Sequence, residues 1–365
     1  EKEKGEFLYQ EERPLTALEA AAQNSHLVLL GDPGSGKSVF VNHLAYQLAG
    51  ARLASQSALD WWPDLPHLPI RVILRDLAAD LETLDPVELA ALPQAKQRDR
   101  LLDALQMHLT RGFNTFGLSS EEAEVWTDHL RNQAHQATCL YIFDGLDEVP
   151  PDQLTWVRQA IEALVARHDG PVIVTCRIRS YEGAAQLPGF VVETLAPFTD
   201  QQINDFIVAW YRAQPALTEA SRGERIADLR QAVHRPSLAE LAGNPLLLTT
   251  MALIHTAGVG LPRERVKLYA RSVEVLMRRW QRHKHGQASL LGRLGVDATR
   301  LLGGLRALAY HAHQAGELGG SADVDKDTAV GLLAKTCMDG DYGKAQRFLE
   351  YVDQQAGLLV GRGGG

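Results

Sequence analysis

From Gly31 to Ser38 the chain reads Gly-Asp-Pro-Gly-Ser-Gly-Lys-Ser, directly after the apolar run Leu27, Val28, Leu29, Leu30. The spacing G-x-x-x-x-G-K-[ST] is that of a Walker A loop. Its glycines let successive backbone N–H groups turn inward on a phosphate, a conformation that a side chain would forbid. A helix beginning at the same point aims its positive end at the same anion. Gly34, Ser35, Gly36, Lys37, Ser38 and Val39 form the expected nucleotide-binding set, with Lys37 reaching the β- and γ-phosphate oxygens and the Ser38 hydroxyl placed for Mg²⁺. A chance glycine turn is the competing reading. The flanks favour the loop: a strand-like run precedes it, and Val39, Leu44, Ala45 and Leu48 make a helical stripe after it.

Acids follow a second apolar run. Cys139 to Phe143 has the length of a strand covered on both faces, and it ends in Asp144-Gly145-Leu146-Asp147-Glu148. A carboxylate at such a strand end suits a metal beside a phosphate loop, so Asp144 joins Ser38 as a Mg²⁺ ligand, while Asp147 and Glu148 are candidates to polarise an attacking water. Read alone, the cluster is equally a solvated turn or a helix cap. A third run, Pro171 to Thr175, ends in Cys176-Arg177. Arg177 at that sheet edge is placed to sense a γ-phosphate, with a surface ion pair as the alternative and Arg179 read as structural.

These residues need a scaffold. The strand-like segments Leu27–Leu30, Ile70–Leu74, Cys139–Phe143, Pro171–Thr175 and Phe190–Thr194 predict a five-stranded parallel sheet flanked by helices, the α/β fold of P-loop NTPases. Helical patterns near Leu15–Ala22, Asp99–Thr110, Ser119–Gln133 and Asp152–Arg167 supply the flanks. The prolines of Trp61 to Pro69 predict an irregular surface loop. From Pro197 the pattern is helical only, opening with the capping sequence Thr199-Asp200-Gln201-Gln202 before Ile203, Phe206, Ile207, Trp210 and Tyr211. Pro245 starts another helix and Pro262 a longer one, whose stripe is Val266, Tyr269, Val273, Leu276 and Trp280. The arginine-rich remainder of that helix reads as a solvated face, and otherwise as a contact for an acidic partner or nucleic acid. Two further helical stretches, about Val296–Gln314 and Asp325–Gln355, lead to Gly357–Val360, one strand of a small wing. The expected organisation is a lead-in over 1–26, a nucleotide-binding domain over 27–196, a helical domain over 197–290 and a truncated winged-helix-like domain over 291–365.

Composition narrows the class. With 365 residues, 45% hydrophobic and 22% charged, the chain has material for two or three domains. A net charge of −8 argues against a general nucleic-acid coat. Cys139, Cys176 and Cys337 are isolated and read as reduced core residues. His283 with His285 and His311 with His313 are two apart, a spacing that does not share a helix face, so no metal site is read there. No apolar run reaches the ~18 residues of a membrane span. The reading is a soluble, cytoplasmic protein. A start at Glu1 and an end at Gly363-Gly364-Gly365 suggest a segment of a longer chain.

Taken together, the motifs resemble the NACHT family of signal-transducing P-loop NTPases, which includes NOD-like immune receptors and bacterial defence proteins. The resemblance rests on the Gly31–Ser38 loop, Leu140–Glu148 as the hhhhDGLDE form of Walker B, Val172–Arg177 as sensor 1, Leu195-Ala196-Pro197-Phe198, Asn244-Pro245-Leu246-Leu247 and the Leu261-Pro262-Arg263 helix. It implies an ATP/ADP-dependent switch that hydrolyses ATP slowly with Mg²⁺ and self-associates on activation. It also implies that Gly145 is small so that Asp147 and Glu148 approach the metal, that Arg177 senses the γ-phosphate and that Pro245 packs on adenine. Two departures stand out: no residue here matches the winged-helix histidine of relatives, and their effector and sensor domains would lie elsewhere in a full-length protein. A cycling AAA+-like ATPase acting on nucleic acid or protein is the alternative, and nucleotide as structural glue a third. The sequence contains neither an N-K-x-D guanine-reading segment nor an LSGGQ-like one, which disfavours a GTPase and an ABC subunit.

Overall fold

Alternation along the central strands decides the architecture. In a computed structural model describing residues 15–54, 62, 67–115, 119–135, 138–257, 260–262, 264, 267–271, 295–317 and 324–351, five strands pair in parallel: β1 (His26–Leu30), β2 (Leu68–Ile73), β3 (Cys139–Asp144), β4 (Val172–Cys176) and β5 (Val191–Thr194), in the order β2-β3-β4-β1-β5. Odd and even residues feed opposite faces, as the pleat requires. Leu27, Leu140, Ile142 and Ile173 join one buried cluster, with Val41, Leu44 and Leu48 of α2 (Lys37–Leu53) and Ala20 and Ala21 of α1 (Ala17–Gln23). Val28, Tyr141, Phe143, Val172 and Val174 join the other, with residues of α3 (Leu74–Leu81), α5 (Gln94–Thr115) and α7 (Leu154–Val165). The inner strands are therefore mainly apolar because helices cover both their faces.

Local chemistry sets the helix ends. Thr16 and Glu19 form a reciprocal capping box at the head of α1. Asp85 accepts from the N–H groups of Val87 and Glu88 to start α4 (Pro86–Ala91), with Pro86 in the first turn. Helix α6 (Ser120–His135) completes the outer set.

The chain divides into two compact units, Glu1–Asp32 with Lys37–Leu195, and Pro33–Gly36 with Ala196–Gly365. In the second, Thr199 and Gln202 form the capping box of α8 (Asp200–Arg212). Ile203, Ile207 and Tyr211 of α8 pack with Leu229 and Val233 of α9 (Glu219–Val233), Leu238 and Leu241 near the short α10 (Ala239–Ala242), and Leu248, Met251 and Ile254 of α11 (Pro245–Thr256). The buried His255 is satisfied on both ring nitrogens, by the Tyr211 hydroxyl at 2.5 Å and Asp228 Oδ2 at 2.9 Å. Three later helices, Ala298–Glu317, Lys326–Cys337 and Tyr342–Tyr351, enclose a separate core around Leu301, Leu333, Cys337 and Phe348.

Several expectations change. Val39 does not belong to the buried stripe of α2: it is 73% exposed, and the inward phase runs through Val41, Leu44, Leu48 and Ala51. Pro69 lies inside β2, whose last residue is Ile73, and Leu74 already opens α3. The strand tolerates proline because β2 is an edge strand. Leu68 donates its N–H to Thr138 O at 2.8 Å, so by alternation the nitrogen of Pro69 faces away from β3 and no ladder bond is lost. The expected single stretch Asp325–Gln355 is two helices. Asp339 (φ +55°) and Gly340 (φ +80°) turn the chain left-handed, and the N–H of Gly340 closes on Ala334 O at 2.8 Å as a C-terminal cap. The wing strand Gly357–Val360 and most of the arginine-rich helix from Pro262, including Val273, Leu276, Trp280, His283 and His285, lie outside the described residues. Among the described residues no helix is long and apolar enough to cross a membrane.

The corrected phase of α2 has a measurable signature. Leu44→Ala should lower stability by about 2–5 kcal/mol in chemical denaturation, whereas Val39→Ala should stay within ~0.5 kcal/mol.

Candidate functional site

Strand register brings the acids and their partners to one level. Phe143 pairs with Val174 and Leu29 with Thr175, so the ends of β1, β3 and β4 lie side by side at the C-terminal edge of the sheet. Asp144, the last residue of β3, is only 6% exposed. A buried carboxylate is costly unless it is paired and hydrogen-bonded, and three donors meet this one. The Thr175 hydroxyl donates to Oδ1 at 2.6 Å, and Ser38 Oγ lies 3.4 Å from the same oxygen. Arg71 Nη2 of β2 lies 2.6 Å from Oδ2. Thr175 also accepts the N–H of Gly145 at 2.8 Å, so one buried hydroxyl fixes both the carboxylate and the turn behind it.

That turn is left-handed. Gly145 has φ +86°, which starts the 3₁₀ turn Leu146–Glu148, and a Cβ there would meet Glu148 Cδ at 3.3 Å. Asp147 is carried to β4: Arg177 places Nε 2.7 Å from Oδ2 and donates its backbone N–H to Oδ1 at 3.1 Å. The Asp147 side chain is only 5% exposed, so this is a partly buried pair held at two points. Glu148 diverges from Asp147 toward Arg75, whose Nη1 lies 3.9 Å from Oε2. Burial pushes the Glu148 carboxyl above its ordinary range and the neighbouring Asp147 adds to this, while Arg75 opposes it.

Lys37 stands at the head of α2, its Nζ donating to Gly31 O at 2.6 Å and Asp32 O at 3.3 Å. Burial lowers its pKa below the usual lysine range; Asp147 counteracts that shift and Arg177 reinforces it. Lys37, Ser38, Asp144, Asp147, Glu148 and Arg177 thus share the first unit. Gly34, Ser35, Gly36 and Pro245 belong to the second. There, Asn244 caps α11 through Oδ1, which accepts from Leu246 and Leu247 N–H, while its Nδ2 donates to Pro33 O at 3.0 Å. Gly34 has φ +77°, and a Cβ on it would fall 2.8 Å from Leu246 Cβ. Gly36 has φ +96°, and among the described residues a Cβ there would meet Pro245 Cγ at 3.9 Å. The Val39 side chain is exposed and joins none of these contacts.

The donor set fits a phosphate and a hard cation. Gly34 and Gly36 carry the positive φ values of an anion-cradling loop, and the buried Ser35 Oγ has no hydrogen-bond partner among the described residues. Ser38 and Asp144 bring together a hydroxyl and a carboxylate, the two ligand types that P-loop enzymes use for Mg²⁺. Among the described residues no three His, Cys, Asp or Glu side chains converge into a metal cage, and Mg²⁺ characteristically needs only one or two carboxylates when phosphates and water complete its shell. The cysteines take no part: all three are buried, and burial raises the Cys139 thiol to about 11 and Cys176 to about 12.

Sequence reasoning missed Thr175, Arg71, Arg75 and Asn244. A threonine next to the end of an apolar strand, and an arginine between the buried Ile70 and Val72, were the available signals.

Residues 12–174 match the family model of the AAA ATPase domain. No curated protein sequence matches the chain. The parallel sheet, the glycine-rich loop and the family match fit the α/β fold of a P-loop NTPase, a class whose general chemistry is nucleotide binding and ATP hydrolysis.

Two outcomes test the acid network. Thr175→Val should cost about 1–3 kcal/mol in urea denaturation, because it strips a donor from Asp144 and an acceptor from Gly145 N–H, while Thr175→Ser should recover most of that. The second concerns pH. A carboxyl with a raised folded pKa holds its proton more tightly in the folded chain, so its effect on stability is nil below the ordinary carboxylate pKa of about 4.3 and becomes a penalty as pH rises through the folded value. Glu148→Gln should therefore melt higher than the unaltered chain at pH 7 in EDTA, with the gap closing toward pH 4.

Proposed function

We propose that this chain is the nucleotide-operated switch of a NACHT-type protein: ATP with Mg²⁺ favours one arrangement of the molecule, ADP another, and slow hydrolysis resets it. The observation that carries the reading is the Arg177–Asp147 pair at 2.7 Å beside Lys37. A γ-phosphate is a competing anion for the same guanidinium. Differential binding of this kind is what a ligand needs to shift an equilibrium between conformations. Driving such an equilibrium from 1:99 to 99:1 takes ~5.5 kcal/mol, and a few charge-assisted hydrogen bonds at ~1.5–3 kcal/mol each are enough.

In this reading Gly34, Ser35, Gly36, Lys37, Ser38 and the backbone of Val39 hold the phosphates, and Ser38 and Asp144 hold Mg²⁺. The metal, when bound, neutralises charge on the transferring phosphoryl group. Asp147 and Glu148 orient water, and burial raises the proton affinity of Glu148. Pro245 contacts adenine, as its first-turn position in an Asn-Pro-Leu-Leu segment suggests by resemblance. The two-unit division near residue 196 supports a nucleotide-binding domain followed by helical ones, with oligomerisation as the output and further domains supplying trigger and effect.

A cycling AAA+-like ATPase is the second reading, favoured by the family model that matches residues 12–174. Turnover separates the two. The switch should show slow hydrolysis and nucleotide that copurifies, whereas fast turnover stimulated by nucleic acid or protein would select the motor. Lys37→Ala should abolish ATP binding in equilibrium titration. The double variant Asp147→Ala, Glu148→Ala should bind ATP and fail to hydrolyse it. Unchanged ATP affinity in the lysine variant would refute the site.

A further inference from the structure

Arg71 has no role in any motif of the phosphate loop, yet it makes the closest charged contact to the metal-side acid. Its Nη2 lies 2.6 Å from Asp144 Oδ2, while Oδ1 faces Thr175 and Ser38. We propose that Arg71 is a built-in counter-ion that stands in for the divalent cation at Asp144, so that guanidinium and Mg²⁺ compete for one carboxylate oxygen. This rests on the nucleotide-and-metal reading above and adds to it a residue that sets the magnesium requirement.

Burial and charge lead to this assignment. Asp144 is nearly enclosed, and a buried carboxylate left without a counter-charge is expensive. Arginine supplies that charge at every physiological pH, since it does not deprotonate. Of the donors around Asp144, Thr175 is itself buried and tied to Gly145, so it stays. Arg71 is different. It sits on the edge strand β2 with its side chain 32% exposed, and it reaches the acid from the solvent side. Withdrawing its head group returns a charge to water rather than burying it.

A cation that ligates Asp144 brings two positive charges to an oxygen already paired with a third, with Lys37 close enough to feel the same carboxylate. Like charges at one carboxylate repel, so metal entry and Arg71 departure are coupled. The exchange keeps a positive charge beside the buried Asp144 throughout. It also imposes a threshold: the cation must outcompete a guanidinium before it binds. Arg75, near Glu148 at 3.9 Å, is a weaker neighbour that faces the other acid.

The test is the magnesium dependence of nucleotide binding by the full chain. A fluorescent ATP analogue is titrated with MgCl₂ from an EDTA-cleared start in the unaltered chain, in R71M and in R71K. The prediction is a Mg²⁺ midpoint about tenfold lower in R71M, the factor expected from losing one charge-assisted competitor, with R71K in between. Mn²⁺ binding read by electron paramagnetic resonance should shift in the same direction. Melting gives an independent readout. R71M should melt lower than the unaltered chain in EDTA and regain that loss with Mg²⁺ and ATP. A midpoint that is unchanged or higher in R71M, or an equal melting loss in both conditions, would overturn the competition and leave Arg71 as a structural pair. If R71M fails to fold, R71Q, which removes the charge and keeps a donor, carries the same comparison. Absence of nucleotide binding in the unaltered chain would overturn the nucleotide reading and this inference with it. Normal binding with an unshifted midpoint would overturn the inference alone.

Discussion

A single buried carboxylate governs the C-terminal edge of this sheet. Asp144 ends the inner strand β3, where it is nearly enclosed, and the fold satisfies it from three directions with Thr175 of β4, Ser38 of α2 and Arg71 of β2. Each donor comes from a different element, so the acid fixes the relative heights of β2, β3, β4 and the helix after the phosphate loop. A shift of one strand by one residue would turn a donor to the opposite face and leave the charge bare. The requirement to satisfy one ion thus reinforces the same register that the apolar alternation of Leu140, Ile142 and Ile173 selects.

The neighbouring acids divide the remaining work by direction. The left-handed Gly145 sends Asp147 toward β4, where Arg177 holds it with side chain and backbone together, and sends Glu148 toward α3 and Arg75. Two carboxylates one residue apart therefore meet different environments. Asp147 is locked in a near ion pair, whereas Glu148 is left with a burial cost that keeps its proton affinity high.

Much of this was legible from residue types alone. The strands Leu27–Leu30, Cys139–Phe143 and Pro171–Thr175 are continuous apolar runs, and that pattern comes from a sheet covered on both faces. Acids and arginine at the ends of such runs marked the edge where chemistry gathers. The pairings were less legible, because a pattern along the chain carries no information about which arginine meets which acid at a separation of 73 positions, as Arg71 and Asp144 do. Val39 and Pro69 misled for local reasons. One apolar residue at the start of a helix fits two phases of the stripe, and a proline breaks a sheet only when its nitrogen faces a partner strand. The break at Asp339 and Gly340 was readable in principle from Asp-Gly, a turn dipeptide within an otherwise helical stretch.

Pro69 has a consequence beyond tolerance. On β2 the alternate nitrogens at 69, 71 and 73 point outward, where a sixth strand would have to bind. Proline removes the first of those donors and Arg71 puts a charged side chain beside the second, so this border of the sheet resists strand addition by another chain. Uncontrolled growth of the sheet into a shared ladder is therefore discouraged on that side, whereas the opposite border is the exposed strand β5.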